Sequence, residues 1–362
     1  MKIKFLNIDE YDKWDDFCYK NSNGTFSYTS NVIEYNINSN FNITATNKSF
    51  FVLNDNKEVV GVMVVFIEEC KEKKYLAYGG GPLLAPLISD KVNKKTRQKA
   101  LSFIIETIDN LALDINVEKI EMIIPYQNVT YIESIDKHNY LLKYNGFLDI
   151  SRQTSVISIL KDEKSIFSGF NKGFKSCINK ADRYLTSKII DYANINDEDV
   201  HKFMKYYFNI AGKVTRPKNT FENIYRWIVN NHAILVETSY NGEVVGYILF
   251  HYYKDVAYYA MGCKSKNYKE FDFEISHIMI WEAIKYLKSL NIKYIDLGIQ
   301  DYNDTIGYFP TQKDKSISDF KRGFGGFTVP AFIAEKFYIK ESFFDSYYKR
   351  IKEYEKRNFI ND

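Results

Sequence analysis

Two stretches of this chain repeat one pattern, and that repeat limits the fold more than any other feature of the sequence. The tetrapeptide EVVG occurs at residues 58–61 and again at residues 243–246. The first copy lies in SFFVLNDNKEVVGVMVVF and the second in HAILVETSYNGEVVGYILF. In each copy an apolar run is followed by polar turn residues, and EVVG then opens a second apolar run. The pattern predicts the same β-hairpin twice.

The surroundings of the two hairpins repeat as well. Each hairpin is followed by another predicted strand and then by a helix whose apolar residues recur three and four apart, in TRQKALSFIIETIDNLAL and in FEISHIMIWEAIKYLKSL. Each helix leads into a short strand, and Ile120 of the first aligns with Ile295 of the second. Each half is therefore predicted to be β-β-β-α-β, which is an α/β layer arrangement.

Two copies of one domain follow from this repeat. We expect a first domain at residues 1–150 and a second at residues 151–362. The second domain is expected to include linking helices within residues 163–231 and a C-terminal helix over ESFFDSYYKRIKEYEKRN.

Composition excludes several classes of protein. The 49 basic and 46 acidic side chains give a net charge of +3, which is too balanced for a protein that coats nucleic acid. The four cysteines and five histidines show no metal-ligand spacing, so we expect no metal site. The longest apolar run, VVGVMVVFI, is too short to span a bilayer. We therefore expect a cytoplasmic protein without integral membrane association, and the sequence leaves its oligomeric state open.

Three stretches carry a resemblance to a known family: YGGGPLL at 78–84, FKSCINKADR at 174–183 and DFKRGFGG at 319–326. Together they resemble the Fem peptidyltransferases and their duplicated GNAT-fold relatives. The resemblance implies two tandem GNAT-like domains with central mixed sheets. It also implies transfer of an aminoacyl or acyl group to an amine of a nucleotide- or lipid-linked cell-envelope precursor, such as a peptidoglycan or surface-polysaccharide precursor. In the Fem family the donor is an aminoacyl-tRNA, so tRNA is an expected partner.

The chain departs from this family in two places, and the departures keep alternatives open. Residues 34–36 read EYN where enzymes acting on lipid-linked precursors tend to carry a lysine, which puts a diphosphate-binding role of the first domain in doubt. A CoA-dependent GNAT has a glycine-rich loop for the pyrophosphate, whereas GCKSKNYKEFDFE at 262–274 has one glycine. The donor is thus an aminoacyl-tRNA or an acyl-CoA, with no bound cofactor. The alternatives are an amino-sugar N-acyltransferase and a non-catalytic binding protein.

Two residues are the catalytic candidates. Lys321 of the FKxxFG element would stabilise the oxyanion that forms when an amine attacks an ester or thioester, or would bind a donor carboxyl or phosphate. Strand alternation places Asp296 on one face with Tyr294 and Gly298, where it would orient the amine or accept its proton. The alternatives are a surface lysine and a hydrogen-bonded structural aspartate.

The remaining candidates are substrate-binding groups: Tyr78, Gly80, Gly81, Lys175, Arg183, Tyr302 and Arg322. Lys175 and Arg183 would hold a phosphate, unless they belong to a solvated basic helix face. The glycines after Tyr78 would form an anion-accepting turn, unless they only lead into a proline. Tyr302 follows a predicted strand end, where sites of α/β proteins tend to open.

Overall fold

The computed structural model describes residues 1–265, 273–302, 305 and 307–359. Its contacts divide the chain into two units. Unit 1 comprises Met1–Gln153, Ile299–Ser318 and Pro330–Asp362, and unit 2 comprises Thr154–Gly298 and Asp319–Val329. The C-terminal helix, which the sequence analysis assigned to the second domain, lies in unit 1.

Unit 1 contains three small sheets. Its strands are β1 (Lys2–Phe5), β2 (Thr44–Asn47), β3 (Phe50–Leu53), β4 (Val59–Met63), β5 (Phe66–Cys70), β6 (Lys73–Ala77), β7 (Leu83–Leu84), β8 (Leu87–Ile88), β9 (Lys119–Ile123), β10 (Phe147–Asp149) and, late in the chain, β18 (Ile333–Phe337). Its helices are α1 (Tyr11–Lys20), α2 (Ser30–Ile37), α3 (Lys94–Asp114), α4 (Val129–Glu133) and α11 (Lys340–Asn358). The strands are ordered β1-β3-β4-β8, β10-β18-β9-β7 and β2-β5-β6.

Unit 2 is built on a seven-stranded mixed sheet with the order β12-β13-β14-β15-β16-β11-β17. The strands are β11 (Arg152–Ser158), β12 (Leu185–Ile190), β13 (Ala233–Tyr240), β14 (Glu243–Tyr253), β15 (Val256–Lys264), β16 (Tyr294–Gln300) and β17 (Phe327–Ala331). The helices are α5 (Glu163–Ser168), α6 (Lys172–Ala181), α7 (Asp197–Ala211), α8 (Asn219–Val229) and α9 (Ile275–Ser289), followed by α10 (Gln312–Arg322), which ends in this unit. Helices α6 and α9 pack on the apolar core of the sheet.

The repeated hairpin is confirmed in a specific detail. β3 pairs with β4, and β13 pairs with β14, both antiparallel. In each hairpin the second valine of EVVG is the extra residue of a β-bulge: Val60 in unit 1 and Val245 in unit 2. A bulge bends its strand and increases the local twist, so the second strand of each hairpin is bent just after the turn.

The glycines of the two EVVG copies face the same kind of neighbour. A Cβ atom on Gly61 would lie 2.8 Å from Cδ1 of Ile88 and 3.7 Å from Cδ1 of Ile104 on α3. A Cβ atom on Gly246 would lie 3.0 Å from Cε of Met279 on α9. Each helix therefore packs onto its hairpin where the strand has no side chain.

The β-β-β-α-β prediction is confirmed in the second half, as β13-β14-β15-α9-β16, but needs correction in the first. There the stretch after β4 forms a separate hairpin, β5–β6, and then the two-residue strands β7 and β8. Lys71 and Glu72 have φ values of 48° and 66°, the backbone that a two-residue hairpin turn requires. Positive φ at non-glycine residues is not readable from the sequence pattern.

The linking segment at 163–231 also differs from its prediction, because it is not wholly helical. Its first part, residues 163–190, consists of α5, α6 and strand β12. The backbone N–H of Gly169 caps α5, and α6 begins three residues later. Strand β12 pairs with β13 along its whole length, and this long-range pairing overrides the local helical pattern.

Among the described residues, no helix is long and apolar enough to cross a membrane.

Candidate functional site

Two neighbouring strands of unit 2 separate in the middle of the sheet. Strand β15 pairs in parallel with β16 at its first residues, and the last pair is Tyr258 with Asp296. Further along, β15 continues to Lys264 beside β14 and carries a bulge at Ala260, because Leu249 pairs with Met261 and the next residue pairs with Tyr259. Strands that part in this way leave backbone N–H and C=O groups of β15 available to a ligand.

Asp296 lies at the point of separation and is fully buried. Its Oδ1 atom accepts a hydrogen bond from the backbone N–H of Gly298 at 2.8 Å and another from the hydroxyl of Thr154 on β11. Gly298 has a φ of 88°, a conformation that favours glycine. The carboxylate therefore holds β16 in an unusual turn at this position.

Lys321 and Tyr258 flank Gly298. A Cβ atom on Gly298 would lie 3.4 Å from Nζ of Lys321 and 3.5 Å from Oη of Tyr258. Burial raises the pKa of Tyr258 well above its usual value, and the charge of Asp296 adds to the effect, so the phenol keeps its proton at neutral pH. An ammonium group and a phenol thus provide two hydrogen-bond donors next to a buried carboxylate, an arrangement that can stabilise a developing oxyanion.

The structure therefore brings both sequence-predicted catalytic residues to one place and adds Tyr258, which the sequence analysis missed. The sequence held no signal for Tyr258, because its neighbours are set by strand register.

The residues after Lys321 have structural reasons for their identity. The rings of Phe320 and Phe324 pack on Phe174 of α6, with centroids 5.7 and 5.0 Å away. A Cβ atom on Gly323 would lie 2.1 Å from that same ring, so the close approach of α10 to α6 requires glycine. These contacts fix the end of α10, and therefore the position of Lys321.

The next two glycines, Gly325 and Gly326, have φ values of 74° and 86°. A Cβ atom on Gly326 would lie 2.4 Å from the carbonyl oxygen of Val156, so the chain passes directly against β11.

The two basic candidates of the linking segment do not lie on one helix face. Nζ of Lys175 donates a hydrogen bond of 3.0 Å to the carbonyl of Ser168. Helix α6 ends at Ala181, so exposed Arg183 lies in the turn that leads to β12. Nη1 of exposed Arg322 lies 3.5 Å from the hydroxyl of Thr328.

The candidates of the glycine turn lie in unit 1. The Tyr78 hydroxyl donates to the carbonyl of Ser27 at 2.8 Å. The backbone N–H of Gly80 donates to both carboxylate oxygens of Glu68, at 3.0 and 3.1 Å. The predicted anion-accepting turn is thus already engaged by an anion of the chain itself. Gly80 and Gly81 also line a cavity of about 890 Å³.

Tyr302 is half-buried and follows Asp301 in unit 1. The Asp301 carboxylate accepts two hydrogen bonds from the guanidinium of Arg152. The backbone N–H of Asp301 donates to the hydroxyl of Ser318 at 2.7 Å. The end of β16 is therefore fixed by a bidentate ion pair in this unit.

The histidine on α9 is a packing residue. The centroid of the His277 ring lies 4.2 Å from the ring centroid of Phe174 and 5.1 Å from that of Phe320. Burial lowers its pKa to about 4, so the imidazole is neutral at physiological pH. Within the described ranges, no cluster of three His, Cys, Asp or Glu side chains could hold a metal ion. Most of the 262–274 stretch compared with a CoA loop, residues 266–272, lies outside the described residues.

One family model and several solved structures are similar to this chain. Residues 172–321 match the family model of the acetyltransferase (GNAT) domain. No curated protein matches the sequence. Among solved structures, FemX is similar with a TM-score of 0.66 at 16% identity, covering 95% of this chain and 99% of that one.

Two further structures are similar at low identity. L-PGS from Bacillus licheniformis has a TM-score of 0.57 at 10% identity, covering 92% of this chain and 95% of that one. A tandem GNAT protein from the clavulanic acid biosynthesis pathway has a TM-score of 0.53 at 9% identity, covering 93% and 98%. At these identities the structures establish the fold, and the domain match supports acyl transfer in general. Residues 172–321 therefore resemble a GNAT acetyltransferase domain, and the chain has the predicted fold of two tandem GNAT-like domains.

Proposed function

We propose that this protein transfers an acyl or aminoacyl group to an amine of a cell-envelope precursor, in the opening between β15 and β16. The observation that carries the proposal is the position of Lys321 and Tyr258 on either side of Gly298, at the residue where the strands part.

The chemistry follows from these groups. The lone pair of the acceptor amine attacks the donor carbonyl carbon, the C–N bond forms, and the carbonyl oxygen gains charge. Lys321 and Tyr258 donate hydrogen bonds to this oxygen. The carbonyl then re-forms as the C–O or C–S bond to the leaving group breaks, and the leaving oxygen or sulfur takes up the proton that the amine loses. For Asp296 orientation fits better than proton acceptance, because the carboxylate is fully buried and binds the turn at Gly298.

An aminoacyl-tRNA is the donor that we favour, because the stretch 262–274 lacks the glycines of a pyrophosphate loop. Exposed Arg183 and Arg322, with Lys175, are our proposed contacts to its phosphates. Bulged strand β15 favours the second candidate, an acyl-CoA-dependent N-acyltransferase of amino sugars, since its free backbone groups suit a peptide-like pantetheine arm. A non-catalytic binding protein on the same fold is the third candidate.

The acceptor is proposed from the sequence resemblance to the Fem peptidyltransferases: a nucleotide- or lipid-linked envelope precursor, met in the cytoplasm. Tyr78, Gly80, Gly81 and Tyr302 remain proposed as substrate contacts.

Substitution of Lys321 tests the catalytic assignment. Lys321→Ala should lower turnover by about 10²-fold, the usual effect of losing an oxyanion donor. Lys313→Ala is the matched control, because Lys313 is an exposed lysine on the same helix. A loss of less than about threefold in Lys321→Ala would exclude the proposed role, and no turnover of any donor by the wild-type protein would favour the binding-protein reading.

Thermal stabilisation distinguishes the donors. A ligand at about 100 times its Kd adds roughly 2.7 kcal/mol to stability, which is easily seen. A shift with acetyl-CoA and with free CoA would favour the amino-sugar N-acyltransferase. No change in thermal stability would favour aminoacyl-tRNA as the donor, and tRNA binding would be measured next.

A further inference from the structure

One wall of the cavity of about 890 Å³ in unit 1 contains a buried carboxylate, that of Glu68. This wall is the β5–β6 hairpin with the turn that follows it, and β9 and α11 complete the lining. In the hairpin Phe66 pairs with Ala77, Glu68 with Tyr75, and Cys70 with Lys73. Cross-strand partners share a face, so Glu68 lies on the face whose residues line the cavity.

Glu68 differs from the other acids that line this cavity, because Glu118 and Glu121 are paired with lysines and Asp345 is exposed. Glu118 pairs with Lys73 at 2.8 Å, and Glu121 pairs with Lys119 at 2.6 Å. Glu68 is only 2% exposed, and within the described parts of the chain it forms no ion pair.

The hydrogen bonds to Glu68 do not neutralise it. Both of its oxygens accept from the N–H of Gly80. Burial raises the pKa of the carboxyl, and the backbone N–H groups of Gly80 and Gly79 act in the opposite direction. A buried carboxylate without a cation is costly to stability, so its presence at a cavity wall calls for a cation from outside the chain.

We infer that this cavity binds a ligand with a primary ammonium group on an apolar stem, and that the ammonium pairs with Glu68. Ile43, Ala77 and Pro82 line the cavity and provide apolar contacts for the stem. Cδ1 of Ile43 lies 3.7 Å from the Cβ position of Gly80, which places this apolar contact next to the turn. The side chain of lysine has the required chemistry.

The same geometry disfavours a diphosphate at this turn. The Gly80 N–H that would bind a phosphate oxygen is engaged by Glu68, and a phosphate placed there would meet a carboxylate of the same sign. The inference does not depend on the transfer reaction, because it concerns binding in unit 1 alone.

Calorimetry with three probes tests the inference: Nα-acetyl-lysine methylamide, its uncharged norleucine analogue and inorganic pyrophosphate. The wild-type protein should bind the lysine probe saturably, and at least about tenfold more tightly than the norleucine probe, since a hydrogen bond to a charged group has about that effect. Equal binding of the two amides, no binding of the lysine probe, or tighter binding of pyrophosphate would overturn the inference, and this comparison needs no variant.

A matched pair of variants locates the site. Glu68→Gln keeps an oxygen for the Gly80 N–H but removes the charge, so it should weaken the lysine probe by about tenfold or more. Glu69→Gln is the control, because Glu69 lies on the opposite face of β5 and is exposed. If both variants bind the probe like the wild type, Glu68 is not the site. A protein that binds the probe but transfers no acyl group would refute the proposed function and leave this inference standing.

Discussion

Removal of Arg350 should destabilise unit 1 through a buried ion pair. Glu335 on β18 is fully buried, and its two oxygens accept hydrogen bonds from Nη1 and Nη2 of Arg350 on α11, at 2.6 and 2.7 Å. Arg350→Ala leaves that charge with Nζ of Lys119 at 3.5 Å and the hydroxyl of Tyr347 at 3.2 Å. Breaking one side of a buried pair costs about 3–5 kcal/mol, and we expect the lower end because Lys119 remains.

The pH dependence of stability provides a second measurement of the same pair. Burial alone would raise the pKa of Glu335, but the hydrogen bonds and charge of Arg350, with Lys119 and Tyr347, hold it below its usual value. A lowered pKa in the folded state stabilises the protein above the unfolded value of about 4.3. This contribution is lost as the pH falls from there through the folded-state pKa.

Urea unfolding at pH 7 and at several acidic pH values measures both effects. Lys349→Ala, an exposed neighbour on α11, is the control and should change the free energy of unfolding by less than about 0.5 kcal/mol. A loss below about 1 kcal/mol in Arg350→Ala, with an unchanged acid dependence, would refute the reasoning.

Two substitutions test the glycines that position the site and the repeated hairpin, and a third, at Gly173, is their control. Gly323→Ala should destabilise the protein by about 1–3 kcal/mol or more, because its Cβ would meet the Phe174 ring at 2.1 Å. Gly173→Ala on α6 meets nothing within 4 Å, so thermal unfolding should show no loss, or a gain of up to about 1 kcal/mol. Gly246→Ala should cost about 1 kcal/mol, since Met279 must move from a Cβ contact of 3.0 Å; a stability equal to wild type would contradict the packing of α9 on the bulged hairpin.

Local periodicity made much of the fold predictable. The apolar runs around EVVG and the three-and-four spacing of the following helices belong to short segments, and the structure has these hairpins and helices where the pattern placed them. The predictions that needed correction concern segments whose structure depends on more than their own apolar pattern. Strand β12 forms because β13 is beside it, and the β5–β6 hairpin depends on positive φ at Lys71 and Glu72.

The sequence supplied candidate residues for the site but not the geometry that brings them together. The FKxxFG element and strand alternation identified Lys321 and Asp296 from the sequence. Their shared neighbours, Tyr258 and the turn at Gly298, depend on which strand pairs with which. The anion-accepting role of the glycine turn stays a prediction, and the sequence pattern did not indicate that Glu68 reaches the N–H of Gly80 from another strand.

The two halves keep the same bulged hairpin but differ in the strands that follow it, and this difference is our reason for proposing the transfer chemistry in the second half. In unit 2, β14 pairs with β15 from Gly246 to Tyr253, so β15 is held firmly on one side while it leaves β16 on the other. In unit 1, β4 pairs with β8 at two residues, and β7 pairs with β9 at two residues. Strands β7 and β8 are therefore too short to leave an unpaired stretch of backbone that could bind a donor. The first half is therefore suited to holding a ligand in its cavity, whereas the second can align a carbonyl group with Lys321.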